Sequence, residues 1–187
     1  MKKFYKITRL SKISKLFLLI VGLIIITSCD KDDDLTPEEQ LPPKTQTGAQ
    51  TFGCLINGQP FVPPKLGSNS PRAFYQFARG AYTLGISAGT GGGNEMIAVL
   101  VGGIDISGLT EGQYSLIERQ SGNFHGAYLE GYEFQSTTNT GDPGKLIVTN
   151  FDPQNFIISG TFSFSIKDEN GDNIEITEGR FDMNYTN

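Results

Sequence analysis

From residue 50 to the C-terminus, apolar residues recur at every second position, and the spacing of an amphipathic helix is missing. The clearest run is Gly160-Thr161-Phe162-Ser163-Phe164-Ser165-Ile166, with Phe162, Phe164 and Ile166 on one face and Thr161, Ser163 and Ser165 on the other. Asn170-Gly171 follows, a pair that tolerates positive φ at both centres of a tight hairpin turn. A return strand then carries Ile174 and Ile176, and a further strand points Phe181, Met183 and Tyr185 inward, with Arg180, Asp182 and Asn184 outward. Earlier strands are predicted over 51–57, 72–79, 81–88, 95–102, 112–118, 124–134 and 145–151. Ile97-Ala98-Val99-Leu100-Val101 is apolar without alternation, which predicts a central strand covered on both faces. Glycine recurs too often for long helices. Nine to ten short strands separated by turn residues predict an all-β domain, an antiparallel β-sandwich or a flattened β-barrel.

The N-terminal pattern is of another kind. Basic residues stud positions 1–15, and Leu16 to Ile26 are all apolar or glycine. That run is too short to span a bilayer comfortably, which takes about 20 apolar residues, but it suits the core of a secretory signal peptide. Ile26-Thr27-Ser28-Cys29 resembles the lipobox of bacterial lipoproteins, which implies cleavage after Ser28 and acylation of Cys29. Two or three acyl chains hold a protein stably on a membrane, each buried CH₂ contributing roughly 0.8 kcal/mol. The next residues, Lys31-Asp32-Asp33, resemble the acidic export signal of Bacteroidota surface lipoproteins, which implies display on the outer face of the outer membrane; a periplasm-facing position is the alternative. Residues 35–49 are rich in Pro, Thr and Gln and predict a flexible tether. The expected organisation is a signal peptide over 1–28, a lipidated cysteine and acidic, Pro-rich tether over 29–49, and one all-β domain over 50–187.

Processing changes the charge. Residues 1–28 hold six of the 15 basic residues and none of the 20 acidic ones, so the mature chain would carry −11 rather than −5. Such a chain repels phosphate backbones, and no basic patch interleaved with aromatics offsets that, so nucleic-acid binding is not expected.

Little in the sequence points to catalysis. A triad needs a base beside a nucleophile, and zinc needs several His or Cys ligands. The one histidine, His125, predicts a strand residue on a partly exposed face. With Cys29 acylated, Cys54 has no disulfide partner and reads as a small buried apolar residue. Gly89-Thr90-Gly91-Gly92-Gly93-Asn94 lacks the Lys-Ser/Thr ending and the following helix of a phosphate loop, and predicts a hairpin loop. Asp168, Asn170 and Asp172 stand at the spacing of calcium-loop ligands, a weak metal candidate, because position six is Asn173 and position twelve is Gly179. No cofactor is expected. Thirteen Phe and seven Tyr read mainly as core, with Tyr128, Tyr132 and Phe134 as candidates for a surface that stacks on sugars or peptides.

The run Phe52-Gly53-Cys54-Leu55-Ile56-Asn57-Gly58-Gln59-Pro60-Phe61-Val62-Pro63, the Gly160-Thr161-Phe162-Ser163-Phe164 strand and Glu178-Gly179-Arg180-Phe181-Asp182 together resemble a family of uncharacterised Bacteroidota lipoproteins. The resemblance implies no activity or catalytic residues. Asn57-Gly58 also reads on physical grounds as a hairpin turn. The leading expectation is a non-catalytic cell-surface binding module for a glycan, peptide or envelope protein. The alternatives are a structural lipoprotein packed on an outer-membrane partner and a carboxylate-based hydrolase.

Overall fold

The structure, a computed structural model, describes residues 35–131 and 134–187, together with all side chains of these except that of Phe134. The expected signal peptide over 1–28, Cys29 and the expected export signal Lys31-Asp32-Asp33 lie outside the described residues, as does Tyr132. From Thr36 onward the chain forms one compact unit. Among the described residues, no helix is long and apolar enough to cross a membrane.

The domain is all-β, a mixed sheet of eleven strands. In chain order they are β1 (Thr51–Ile56), β2 (Gln59–Phe61), β3 (Arg72–Ala78), β4 (Ala81–Thr90), β5 (Ile97–Ile106), β6 (Gly112–Leu116), β7 (Phe124–Glu130), β8 (Phe134–Thr137), β9 (Gly144–Asp152), β10 (Ile157–Lys167) and β11 (Asn173–Thr186). Pairing runs β10-β9-β6-β7-β5-β4-β3-β11-β1-β2, β8 adds to β7, and β10 also pairs with β11, so the path returns on itself. Two of the joins are parallel and very short: Leu116 with Phe124 between β6 and β7, and Tyr185 and Thr186 with Ala73 and Phe74 between β11 and β3. These joins divide the closed path into two antiparallel halves, β6-β9-β10-β11-β1-β2 and β3-β4-β5-β7-β8. The result is a flattened barrel with the layered core of a sandwich.

That core holds the inward faces of both halves, among them Phe52, Leu146, Val148, Ile158, Phe162, Phe164 and Met183 from one, and Leu84, Ile86, Val99 and Val101 from the other. Phe162, Phe164 and Ile166 point inward, as their alternation predicts. Glycine makes room for the largest rings. A Cβ on Gly126 would sit 2.7 Å from the Phe164 ring, and one on Gly179 would run into Phe162. β5 is central, but only one face is fully covered: Val99 and Val101 are buried, and Ala98 and Leu100 are half-buried.

The two C-terminal strands expected from sequence are one strand. Ile174 and Ile176 point inward on even numbers, and Phe181, Met183 and Tyr185 on odd numbers, a change of phase that suggests a break. β11 absorbs it with a bulge. Two turns also sharpen. Asn57 and Gly58 both have positive φ, giving the tight hairpin expected between β1 and β2. In the β10–β11 loop only Gly171 does: its N–H bonds to Asp168 O, so the turn is Asp168 to Gly171 with the glycine closing it. The 124–134 strand is likewise a hairpin, broken between β7 and β8 after Glu130.

The predicted tether is the largest correction. Residues 36–49 are laid along the outer face of β1 and β11 as a strap. Leu41 is buried, and Pro42 Cδ lies 2.7 Å from where a Cβ on Gly53 would stand. Thr36 opens the strap with a turn, its N–H and hydroxyl both donating to Glu39 Oε2. The strap lacks a hydrophobic face, which is why its composition suggested an unfolded segment. It is held by polar bonds instead.

Candidate functional site

The strap's main hold is Asp182. Flanked by the core residues Phe181 and Met183, its side chain points to the outer face, as alternation predicts, but only 1% of the residue is exposed. Its carboxylate accepts from the hydroxyls of Thr45 (2.6 Å), Thr47 (3.3 Å) and Ser159 (2.8 Å) and from the backbone N–H groups of Thr47, Gly48 and Ala49 (2.7–3.1 Å). Burial alone would raise the pKa of this group. The donors from Thr45, Thr47, Ala49 and Ser159 outweigh it and hold the carboxyl at about 2. Arg180, also outward and also buried, meets Glu38 at 3.1 Å and Glu178 at 3.2 Å, with Lys44 3.4 Å from Glu178. An open groove of about 200 Å³ lies beside the strap, between Lys44 and Lys145. Its only acid, Glu178, is engaged by Lys44 and Arg180.

The residues expected to carry chemistry are placed otherwise. His125 is buried rather than partly exposed, with 4% of its surface accessible, and its Nδ1 has no hydrogen-bond partner. It sits opposite Gly102 on β5. Burial, with a smaller push from Arg119, lowers its pKa to about 4, so it is a neutral ring at physiological pH. Cys54 is fully buried, and burial pushes its thiol far above the usual range. Asp168 caps its own turn, Oδ1 accepting from the N–H groups of Asn170 and Asp172. This gives the calcium-like spacing of Asp168, Asn170 and Asp172 a turn-forming role, and among the described residues no three His, Cys, Asp or Glu side chains converge as metal ligands.

Tyr128 is not a surface residue. It is 4% exposed and packs in the core, its hydroxyl bonding Glu130, and burial raises its pKa to about 12. It therefore does not share a ligand surface with Phe134, whose backbone lies in β8.

A different set of rings gathers at one end of the barrel. Tyr75 on β3 stacks on Tyr82 on β4, with centroids 4.7 Å apart and planes 2° from parallel. Tyr75 also meets Phe151 of β9 and Tyr185 of β11 edge-on, at 5.3 and 6.0 Å. Phe151 and Tyr185 stack at 5.9 Å, Phe77 leans on Tyr82 at 4.8 Å, and Phe156 meets Tyr185 at 5.7 Å. Six rings from both halves of the barrel thus form one connected set. Four of them form its floor, while Phe77 and Phe156, 63% and 43% exposed, stand at its two extremes. Leu109 N–H donates to the Tyr75 hydroxyl at 2.9 Å, which fixes the 107–111 loop beside the rings. Phe156 holds a φ of 57°, a backbone form uncommon for an aromatic residue, and its carbonyl accepts from Tyr185 N–H.

Tyr82, Phe77, Phe151 and Tyr185 each lie one residue from a strand end, Phe156 lies just before β10 and Tyr75 at the middle of β3, so the available signal was aromatic residues gathered where strands begin or stop. Their convergence depends on which strand ends share a rim, and the pattern of alternation does not contain that. Comparison with protein-family models, with curated proteins and with solved structures found no match to this chain.

Proposed function

We propose that this chain is a lipoprotein of the Bacteroidota type, cleaved after Ser28, acylated on Cys29, exported to the outer face of the outer membrane by Lys31-Asp32-Asp33, and working there as a non-catalytic binding module. The observation that carries the binding reading is the ring set at the Tyr75 end, with Phe77 and Phe156 left exposed. Large exposed aromatics on a folded surface are characteristic of contact sites, because they bury much area with few rotamers to fix. A binding rather than catalytic role is supported by the placement of His125 and Cys54, both withdrawn from solvent in unreactive forms. With the strap docked, seven peptide steps join Cys29 to Thr36, a covalent reach of at most about 25 Å. The module would be held near the membrane surface rather than on a long lead.

Two measurements test this. Radiolabelled palmitate should enter the wild-type protein and not the Cys29→Ser variant, and protease added to intact cells should cleave the wild-type domain. A photo-crosslinking residue at position 77 should capture a ligand or partner in those cells, and one at Gly92, at the other end of β4, should not. Equal capture at both positions, or none at 77, would remove the binding role from this end and favour a structural envelope protein.

A further inference from the structure

We infer that the aromatic end takes an uncharged oligosaccharide, an assignment that rests on the reading of this end as the ligand site. The ring set is not purely apolar. The hydroxyls of Tyr82 and Tyr185 have no hydrogen-bond partner among the described residues, and neither is a buried orphan; the one such atom is His125 Nδ1. The exposed rings of Phe77 and Phe156, together with the unpaired phenol hydroxyl of half-buried Tyr82, match a pyranose, which offers a C–H face for stacking and a rim of hydroxyls for hydrogen bonding. A wholly apolar partner would leave that phenol hydroxyl desolvated without replacement, at a cost in affinity.

The surrounding charge selects among sugars. Asp152 interacts with Tyr185 and helps to raise its pKa, after burial. Glu111 accepts from Phe151 N–H, and Asp105 precedes Ile106, the cross-strand partner of Tyr82. Against these three carboxylates stands Arg79, in the β3–β4 turn beyond Phe77. A uronate, sulfate or phosphate group would enter a negative field. An uncharged chain would not.

The test uses the full acylated chain in phosphatidylethanolamine vesicles, with fluorescent neutral glucan, mannan and xylan oligosaccharides and with polygalacturonate as probes. At least one neutral probe should bind saturably, and polygalacturonate at least tenfold more weakly. Phe77→Ala and Phe156→Ala should each weaken binding by about 5-fold, the scale of one ring-stacking contact. Phe77→Leu, which keeps an apolar side chain but no ring, should weaken it similarly, and Lys167→Ala at the opposite end should not. Tighter binding of polygalacturonate, or neutral binding indifferent to both Phe substitutions, would overturn the inference. If no neutral probe binds while the position-77 crosslinker still captures an envelope protein, the sugar class is wrong and the binding end stands. If neither occurs, both readings fall.

Discussion

His125 and Asp182 are both buried and titratable, and their surroundings push them in opposite directions. His125 is kept neutral: its pKa is about 4 when folded, against 6.5 in the unfolded chain. The unfolded state therefore binds the proton first, and stability falls as pH drops from about 6.5, levelling off below about 4. The loss should reach about 2 kcal/mol by pH 5. A His125→Leu variant should lack this slope and be no less stable at pH 7, because Nδ1 has no partner to lose. Urea unfolding at pH 7, 6 and 5 reads the difference directly, and equal slopes would show that His125 is not the titrating group. Asp182 is kept charged, with its pKa depressed to about 2. Its contribution is complete above about pH 4 and is lost as pH falls through 2, so it is silent where His125 acts. Asp182→Ala strands three backbone N–H groups of the strap and should cost about 3 kcal/mol in urea unfolding at pH 7.

At the scale of the element, β11 decides the fold, since it pairs with β1, β3 and β10. Its bulge reconciles two inward phases that a regular strand cannot hold together. Deleting Glu178 removes the extra residue and brings Ile174, Ile176, Phe181, Met183 and Tyr185 into one inward phase in register with β10, so dispersed amide signals should persist in NMR spectra. Deleting Ser87 from the unbroken register of β4 should break the alternation of Ile86 and Ala88 and abolish them. Deleting Gly92, in the β4–β5 loop with open space around it, should leave the spectrum dispersed. Period-2 alternation made the strands legible because each inward face is local in sequence: Phe162, Phe164 and Ile166 need no knowledge of their neighbours. The bulge was half-legible, as a phase change taken for a break. Tyr128 was misplaced because alternation fixes only relative facing. It shares its face with Gly126, which accommodates the Phe164 ring, and so it points into the core. The rings at the Tyr75 end were read only as hydrophobic content, since Tyr75 and Tyr185 are brought together by two residues of parallel pairing between β3 and β11.

For the whole molecule, the strap settles how the N-terminal segment meets the barrel. Residues 36–49 bury the outer faces of Gly53, Arg180 and Asp182, which would otherwise lie open. A fragment beginning at residue 50 keeps every strand, so it should fold. It loses Leu41, the Arg180–Glu38 contact and five of the six donors to Asp182, all but Ser159. A stability loss of about 2–4 kcal/mol relative to the 36–187 fragment is expected, roughly 5–15 °C in Tm for a domain of this size. The sharper test combines the two changes. If Asp182 stabilises the protein by holding the strap, Asp182→Ala should cost about 3 kcal/mol in the 36–187 fragment and less than about 1 kcal/mol in the 50–187 fragment, where only Ser159 remains to be stranded. An equal cost in both would mean that Asp182 acts within the sheet, and the strap would then be a bystander on a surface already stable without it. Non-additivity would make the strap part of the folded unit, and force on any N-terminal anchor would be borne by β11, the strand on which the barrel closes.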